Sequence, residues 1–279
     1  MKGFQQVLLL VSVICSIGYG QVSDQELLDI SSALWDGDTN SMKDAVSYNE
    51  DGVVLFDSVD ETRLSQGTYG RFQALREFYV PEIGIPDNCG SGTSCYQAQE
   101  SLLDLVMTSH PITTVHPFLA SKGLADSSIS GFRSEIRQYF FQEFSRSGGA
   151  ALDSSGFEHA FLGEVRNQNE ITGFHGWIQA YLLERDGDFS LNAYEQTCQP
   201  DVGRTGFDWN YGGNTYTKSV SSISIGNSIE AELALYTLCF LARPNASCRV
   251  SLEGNSRAVQ TYTMSNVSPT TVGTSYISC

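Results

Sequence analysis

The sequence predicts an α+β protein in which a mostly helical N-terminal lobe, residues 21–150, precedes a mixed strand and helix unit, residues 151–279. Three observations carry that reading. Apolar residues recur at helical spacing before Gly156 and alternate at strand spacing after it. The later strands are interspersed with helices but lack the regular alternation of a doubly wound parallel sheet. Of the 279 residues, 41% are apolar and 17% charged, which is enough to bury a sizeable core and too little charge for wholesale disorder.

Residues 1–20 are expected to lie outside that fold. Lys2 precedes an apolar run from Val7 to Ile17, and Gly18 and Gly20 place small residues before Gln21, the layout of a secretory signal peptide. The run is too short to span a bilayer, and so is the apolar stretch Leu233 to Leu241, so the expected product is a secreted, extracellular protein without a membrane span. Cysteine usage agrees. Cys15 leaves with the signal, and Cys89, Cys95, Cys198, Cys239, Cys248 and Cys279 form an even set suited to disulfides. Cys89 with Cys95, around the flexible Gly90 to Ser94, and Cys239 with Cys248, across Pro244, are the expected pairs. No C-x-x-C pair occurs, which argues against zinc. Asn245-Ala-Ser247 and Asn266-Val-Ser268 are glycosylation sequons, with Pro269 lowering use of the second.

Along the N-terminal lobe, Ser23-Asp-Gln-Glu26 is a capping box followed by Leu27, Ile30 and Leu34 on one helical face and by Trp35. A second helix is expected from Ile129 to Phe144, where Phe132, Ile136, Tyr139, Phe140 and Phe144 form an aromatic stripe that reads as core, and Ser145 to Ala150 end it. After Gly156, strands are expected over Tyr216–Ile225, Cys248–Leu252 and Ala258–Thr263, with helices over His175–Glu184 and Ile229–Leu241.

The acid is confined to the N-terminal part. Residues 21–197 hold 10 Lys+Arg against 27 Asp+Glu, whereas residues 198–279 hold five of each. The total of −16 argues against a broad basic face for polyanions but leaves a neutral C-terminal groove in which Arg204, Lys218, Arg243, Arg249 or Arg257 could meet a phosphate locally. No G-x-G-x-x-G, Walker A, H-E-x-x-H or G-x-S-x-G motif is present, which removes the commonest readable cofactor and hydrolase classes. Four histidines occur, and two stand in similar settings, Gly156-Phe-Glu-His159 and Gly173-Phe-His175. Such a pair is either satisfied structure or, if the two face each other, a general acid and base working near neutral pH.

Ser155-Gly-Phe-Glu-His-Ala-Phe-Leu-Gly-Glu164, Thr172-Gly-Phe-His-Gly-Trp-Ile-Gln179, the run Ala234 to Pro244 and Thr261-Tyr-Thr263 resemble, in order, the signature blocks of the EndoU family of poly(U)-specific endoribonucleases. Ala33-Leu-Trp35 and Asn40 resemble its first helix, so one EndoU-like domain would span about residues 22–279, with the catalytic unit in the C-terminal lobe. The resemblance implies cleavage of single-stranded RNA at uridylates by attack of the ribose 2′-hydroxyl, leaving a 2′,3′-cyclic phosphate. It implies His159, His175 and Lys218 as catalytic residues, His175 as base, His159 as acid and Lys218 as the cation that stabilises the phosphorane. Ser222 and Tyr262 would bind uracil by hydrogen bonding and stacking, and Glu158 and Glu164 would support the first histidine. It also implies stimulation by a divalent cation, Mn2+ or Ca2+, for which Asp36, Asp38, Glu50 and Asp51 are among many acidic candidates. The RNA partner would be met by a monomer. One residue departs from the pattern: Gly176, commonly asparagine in the family, is expected to loosen the helix of the second histidine. The alternatives are a weakly active or inactive RNA-binding or calcium-binding protein on the same fold, and a secreted protease, for which no serine or zinc motif is seen.

Overall fold

The computed structural model describes residues 22–49, 53–167, 169–198, 202–264 and 267–278. Helix α1 (Asp24–Asp36) starts at the predicted capping box: the Ser23 hydroxyl accepts the Glu26 N–H, and the Glu26 carboxylate accepts the Ser23 N–H at 2.9 Å. Leu27, Leu34 and Trp35 go inside, as the helical spacing requires. A short antiparallel ribbon, β1 (Val46–Tyr48) and β2 (Phe56–Val59), leads into α2 (Glu61–Leu64), α3 (Gly67–Arg76), α4 (Ser94–Val106), α5 (His110–Ser121) and α6 (Ile129–Phe141). Helix α6 is shorter than its aromatic stripe. Phe144 is buried as expected, but there the backbone has turned out to pair with Ser154 in an isolated antiparallel bridge.

A single π-helical turn, Glu158–Leu162, opens the second part of the chain. After it come β3 (Glu164–Arg166), β4 (Glu170–Thr172), α7 (Trp177–Asp186), β5 (Phe189–Cys198), β6 (Val202–Tyr211), β7 (Asn214–Ser224), α8 (Ile229–Ala242), β8 (Ser247–Leu252), β9 (Asn255–Thr263) and β10 (Val272–Ser278). The strands form two sheets, ordered β3-β4-β7-β6-β5 and β10-β9-β8, antiparallel except where β4 meets β7. Helices gathered first and mixed sheets after make the fold α+β. Strands β5 and β6 went unanticipated, because bulges near Ala193 and Gly206 break the alternation that marks a strand.

Helix α8 explains the apolar run at Leu233–Leu241. It is buried almost all round, packed by α1, α3, α5, β9 and β10, and among the described residues no helix is long and apolar enough to cross a membrane. Disulfides Cys89–Cys95 and Cys239–Cys248 are formed as expected, the second tying the end of α8 to β8. Residues 1–20, Glu50, Asp51, Asn266, Cys279 and the side chain of Cys198 lie outside the described part.

One feature of the core bears directly on the site. An aromatic series runs from Phe72 of α3 and Phe141 of α6 through Phe157 and Phe161 to Tyr236 of α8, with centroid separations of 5.9, 4.8, 4.8 and 5.8 Å along it. Phe157 at the N-cap and Phe161 within the π-turn anchor it on its buried side. Each such ring contributes roughly 1.5–3 kcal/mol on burial, so the backbone of residues 158–160 is clamped between the helical and sheet halves.

Candidate active site

The π-turn carries His159. Inserting one residue into a helical turn shifts side-chain directions, and such turns recur at functional sites. Here the His159 Nδ1 is hydrogen-bonded to Glu164 Oε2, on the first residue of β3. The same oxygen lies 3.2 Å from Arg146 Nε, and Arg146 is itself fixed by the Ser154 hydroxyl at 2.9 Å and the Gly273 carbonyl at 2.8 Å. Burial pushes the Glu164 carboxyl up, but the charge and hydrogen bond of His159, together with Arg146, outweigh it and hold the group ionised. Burial pulls the His159 imidazole below its ordinary value, opposed by Glu164 and assisted by Arg146 and Lys218.

Glu158 behaves differently from Glu164. It is fully buried, and burial, with the nearby Glu164 and Asp87 carboxyls, pushes it well above the usual range. Asp87 is also pushed up, to about 6, chiefly by burial, although it accepts the Val80 N–H at 2.7 Å. Both Glu158 carboxyl oxygens are buried without a hydrogen-bond partner among the described residues, so burial and the neighbouring carboxyls disfavour its charged form. Of the two carboxyls, it is Glu164 that touches the His159 ring.

The second histidine is held to the first through the backbone. Phe174 N donates to His159 O at 2.9 Å and His175 N to Ala160 O at 2.8 Å. Gly173 and Phe174 both have positive φ, +65° and +68°. A Cβ on Gly173 would overlap the His159 carbonyl, so only glycine fits. Phe174 tolerates the unfavourable φ because its ring is locked against Phe207 at 4.6 Å and Trp209 at 5.7 Å. Gly176 corrects an expectation. It precedes α7 rather than lying within it, and a Cβ there would run into the Phe161 carbonyl, so the glycine allows the His175 loop to close on the π-turn instead of loosening a helix.

His175 Nδ1 donates to the Ser222 carbonyl at 2.9 Å and lies 3.2 Å from the Ser221 hydroxyl, whose own proton goes to Phe174 O at 2.5 Å. That pattern places the ring proton on Nδ1 and leaves Nε2 as a free lone pair. Burial, with Lys218, pushes His175 down to about 3, so it is neutral at any physiological pH. Tyr276 lies flat on the imidazole, ring centroids 4.4 Å apart, and fixes its plane.

Both histidines open into one cleft of about 600 Å³ between the two sheets. Its floor is β7, whose alternate residues Lys218, Val220 and Ser222 all line it, and its far wall is Tyr262 of β9 with Thr274 and Tyr276 of β10. Lys218 Nζ donates to Ile171 O at 3.3 Å and burial lowers its pKa. The Ser222 hydroxyl donates to Ile277 O at 2.5 Å, and Tyr262 is 47% exposed, so its ring is open to a ligand. The five residues read from the sequence as catalytic or uracil-binding are thus gathered around one space, with Glu164 directly behind His159. Of the five cations that the sequence offered for RNA contact, Arg204 and Lys218 line the cleft and Arg243, Arg249 and Arg257 do not, whereas Thr274 and Tyr276 were missed. The alternation Thr274, Tyr276, Ser278 was a readable strand signal; Arg204 reaches the cleft only through its register opposite Ser222.

Among the described residues, no group of three or more His, Cys, Asp or Glu side chains could hold a metal. The donor set nearest to fitting a hard cation is in the helical part. Asp38, Asn40, Thr68 and Glu230 line one cavity, Asn40 Nδ2 bridges Glu230 Oε1 and Thr68 Oγ1 at 2.8 and 2.9 Å, and Glu230 Oε2 is buried without a hydrogen-bond partner. Burial raises the pKa of both carboxyls, and Asp38 adds to the shift at Glu230. A divalent ion would relieve both shifts, its shell completed by neutral oxygens and water.

Comparison with known proteins follows the same lines. A family model for Endoribonuclease XendoU matches residues 26–277. Uridylate-specific endoribonuclease B of Danio rerio is 32% identical over 253 residues, covering 82% of this chain and 88% of the relative. Uridylate-specific endoribonuclease D of Xenopus laevis is 34% identical over 217 residues, 76% of this chain and 68% of that one. The solved structure of XendoU, described as a splicing-independent snoRNA-processing endoribonuclease, superposes with a TM-score of 0.76 at 28% identity, covering 93% of this chain and 98% of the other.

Proposed function

Since the chain belongs to the XendoU family of endoribonucleases, we propose that it cleaves single-stranded RNA on the 3′ side of uridylates by transesterification. The observation that carries this reading is the opposite setting of two imidazoles on one cleft. His175, neutral with Nε2 free, takes the proton of the ribose 2′-hydroxyl. The 2′-oxygen then bonds to phosphorus. His159, whose imidazolium is stabilised by Glu164 through Nδ1, gives its Nε2 proton to the departing 5′-oxygen as the P–O5′ bond breaks. Lys218 offsets the charge gathering on the phosphorane oxygens. The products are a 2′,3′-cyclic phosphate and a 5′-hydroxyl, with no water consumed. Tyr262 supplies a stacking face for the base, and Ser222, four residues from Lys218 on the same face of β7, meets the uracil edge.

The test is a single substitution in the substrate. An oligonucleotide carrying 2′-deoxyuridine at its one uridylate position should resist cleavage, while the ribo form is cut; equal cleavage of the two would exclude the 2′-hydroxyl as nucleophile.

The protonation states also set the pH profile. His175 must be neutral, which its low pKa ensures above about 3, and His159 must be protonated, which its depressed pKa allows only in the acidic range. Thus kcat/KM should already be falling as pH rises toward the ordinary histidine range and go on falling above it, with the corresponding fall in kcat displaced to higher pH, because bound phosphate stabilises the imidazolium. A kcat/KM that rises across pH 6–8 would reverse the two roles.

We further propose that a divalent cation, Ca2+ or Mn2+, stimulates the enzyme, held by the oxygens of Asp38, Glu230, Asn40 and Thr68; bound there, it supplies positive charge that joins the helical part to α8. Addition of Ca2+ should raise the melting temperature by a few degrees, and the doubly substituted Asp38→Asn, Glu230→Gln protein should lose that response. An undiminished shift in the variant would move the ion elsewhere. Secretion is proposed from the leader-like N-terminus, and the two disulfides suit that compartment.

A further inference from the structure

One cationic side chain of the cleft has no task in the mechanism above. Arg204 lines the cleft, is exposed, and stands opposite Ser222 in the antiparallel register of β6 and β7, whereas Lys218 stands opposite Phe207. Lys218 and Ser222 are four positions apart on the strand, roughly 13 Å of backbone. The charge of Lys218 is felt by both histidines, so it marks the phosphate end, and Arg204 marks the opposite, base end. Among the described residues no ion pair engages Arg204.

The neighbouring Ser222 hydroxyl has its one proton committed to Ile277 O, so toward the cleft it offers only lone pairs. The Arg204 guanidinium offers only donors. We propose that Arg204 is a specificity-determining residue that donates a hydrogen bond to uracil O4 while Ser222 Oγ accepts from uracil N3–H. Uracil matches this acceptor and donor pair at both atoms. Cytosine opposes it at both, presenting an amino donor to the guanidinium and the N3 lone pair to the hydroxyl oxygen. The inference rests on the reading that Ser222 meets the base edge, and it adds the second contact needed to reject cytosine, since a stacked tyrosine accepts any base.

The experiment compares kcat/KM on two otherwise identical oligonucleotides with a single cleavable uridylate or cytidylate, for the wild type, Arg204→Met, Arg204→Lys and Ser222→Ala. A direct base contact of this kind is worth about 5- to 100-fold in discrimination. The U-over-C ratio should fall by that amount in Arg204→Met and by less in Arg204→Lys, mostly through loss on uridine. Equal losses on both substrates, with a shallower dependence on salt, would instead make Arg204 a phosphate contact and overturn the proposal. An unchanged ratio in Arg204→Met with a reduced one in Ser222→Ala would overturn the proposal while sparing the Ser222 reading; no change in either would overturn both. Competition by uridine and cytidine 3′-monophosphates, read by their binding to each variant, gives the same ratios should turnover be too slow to measure.

Discussion

Alanine in place of His159 is expected to lower kcat/KM on uridine-containing RNA by about 10²- to 10⁴-fold while the protein stays folded. The imidazole joins the cleft to the buried Glu164 and Arg146 pair, so its removal takes away the proton donor to the leaving oxygen. The fold survives because Glu164 keeps Arg146 as its partner and the flanking Phe157 and Phe161 still hold the turn. Glu164→Gln is the contrasting case. It removes the charge that stabilises the His159 imidazolium and also leaves the Arg146 guanidinium buried without its counter-ion, a change that costs about 3–5 kcal/mol. Activity and melting temperature should therefore fall together in Glu164→Gln but separate in His159→Ala. The pH dependence follows in sign: Glu164 has a folded pKa below its unfolded value, so its stabilisation is present above the ordinary carboxylate range and lost as pH falls through the depressed folded value. Circular dichroism melts of the three proteins between pH 3 and 7, beside initial rates, check this. A His159→Ala protein that cleaves within tenfold of the wild type would remove His159 from the reaction.

Gly173→Ala should be almost as damaging through a different physical route. The added methyl would occupy the place of the His159 carbonyl oxygen, and the residue sits at a φ of +65° that costs an alanine about 1–2 kcal/mol by itself. Relieving the overlap requires the loop to move away from the π-turn, breaking the two backbone hydrogen bonds that set the spacing of the histidines. A displacement of about 1 Å at a reacting group can cost 10²-fold, so kcat should fall by that order, beyond what the added stability loss of about 1–3 kcal/mol explains at 25 °C. Gly187→Ala is the control: its φ of +85° is also positive, but no atom lies within 4 Å of the added carbon. The control should lose about 1 kcal/mol of stability and keep its rate. Comparable rates for Gly173→Ala and the control would show that the loop does not set the catalytic spacing.

Much of the site was legible because its determinants are local. The repeated Gly-Phe setting of His159 and His175 is a backbone requirement written into adjacent residues: Gly173 must be glycine for His159 to lie against the loop, and the phenylalanines anchor each segment in the core. The capping box of α1 and the two short-range disulfides were readable for the same reason. What could not be read depends on long-range register. Asp87 meets Glu158 from the loop before α4, and Arg146 reaches Glu164 from the segment after α6; no spacing rule connects them. The bulge between Thr205 and Phe207 shifts β6 against β7, which brings Arg204 beside Ser222 and hid the strand itself. Phe174 at positive φ runs against local preference altogether and exists because three buried aromatic rings, Phe189, Phe207 and Trp209, pack against its own and overrule it.

The most direct test of the account is the chemical identity of the product ends. A short RNA with one uridine, incubated with the wild type and with His159→Ala in the presence of Ca2+ or Mn2+ and analysed by mass, should yield from the wild type a single cut 3′ to the uridine, with a 2′,3′-cyclic phosphate on one fragment and a 5′-hydroxyl on the other, and essentially no product from the variant. No cut by folded wild-type protein under either ion, or fragments ending in a 5′-phosphate, would contradict the assignment of His159, His175 and Lys218 as a transesterification centre.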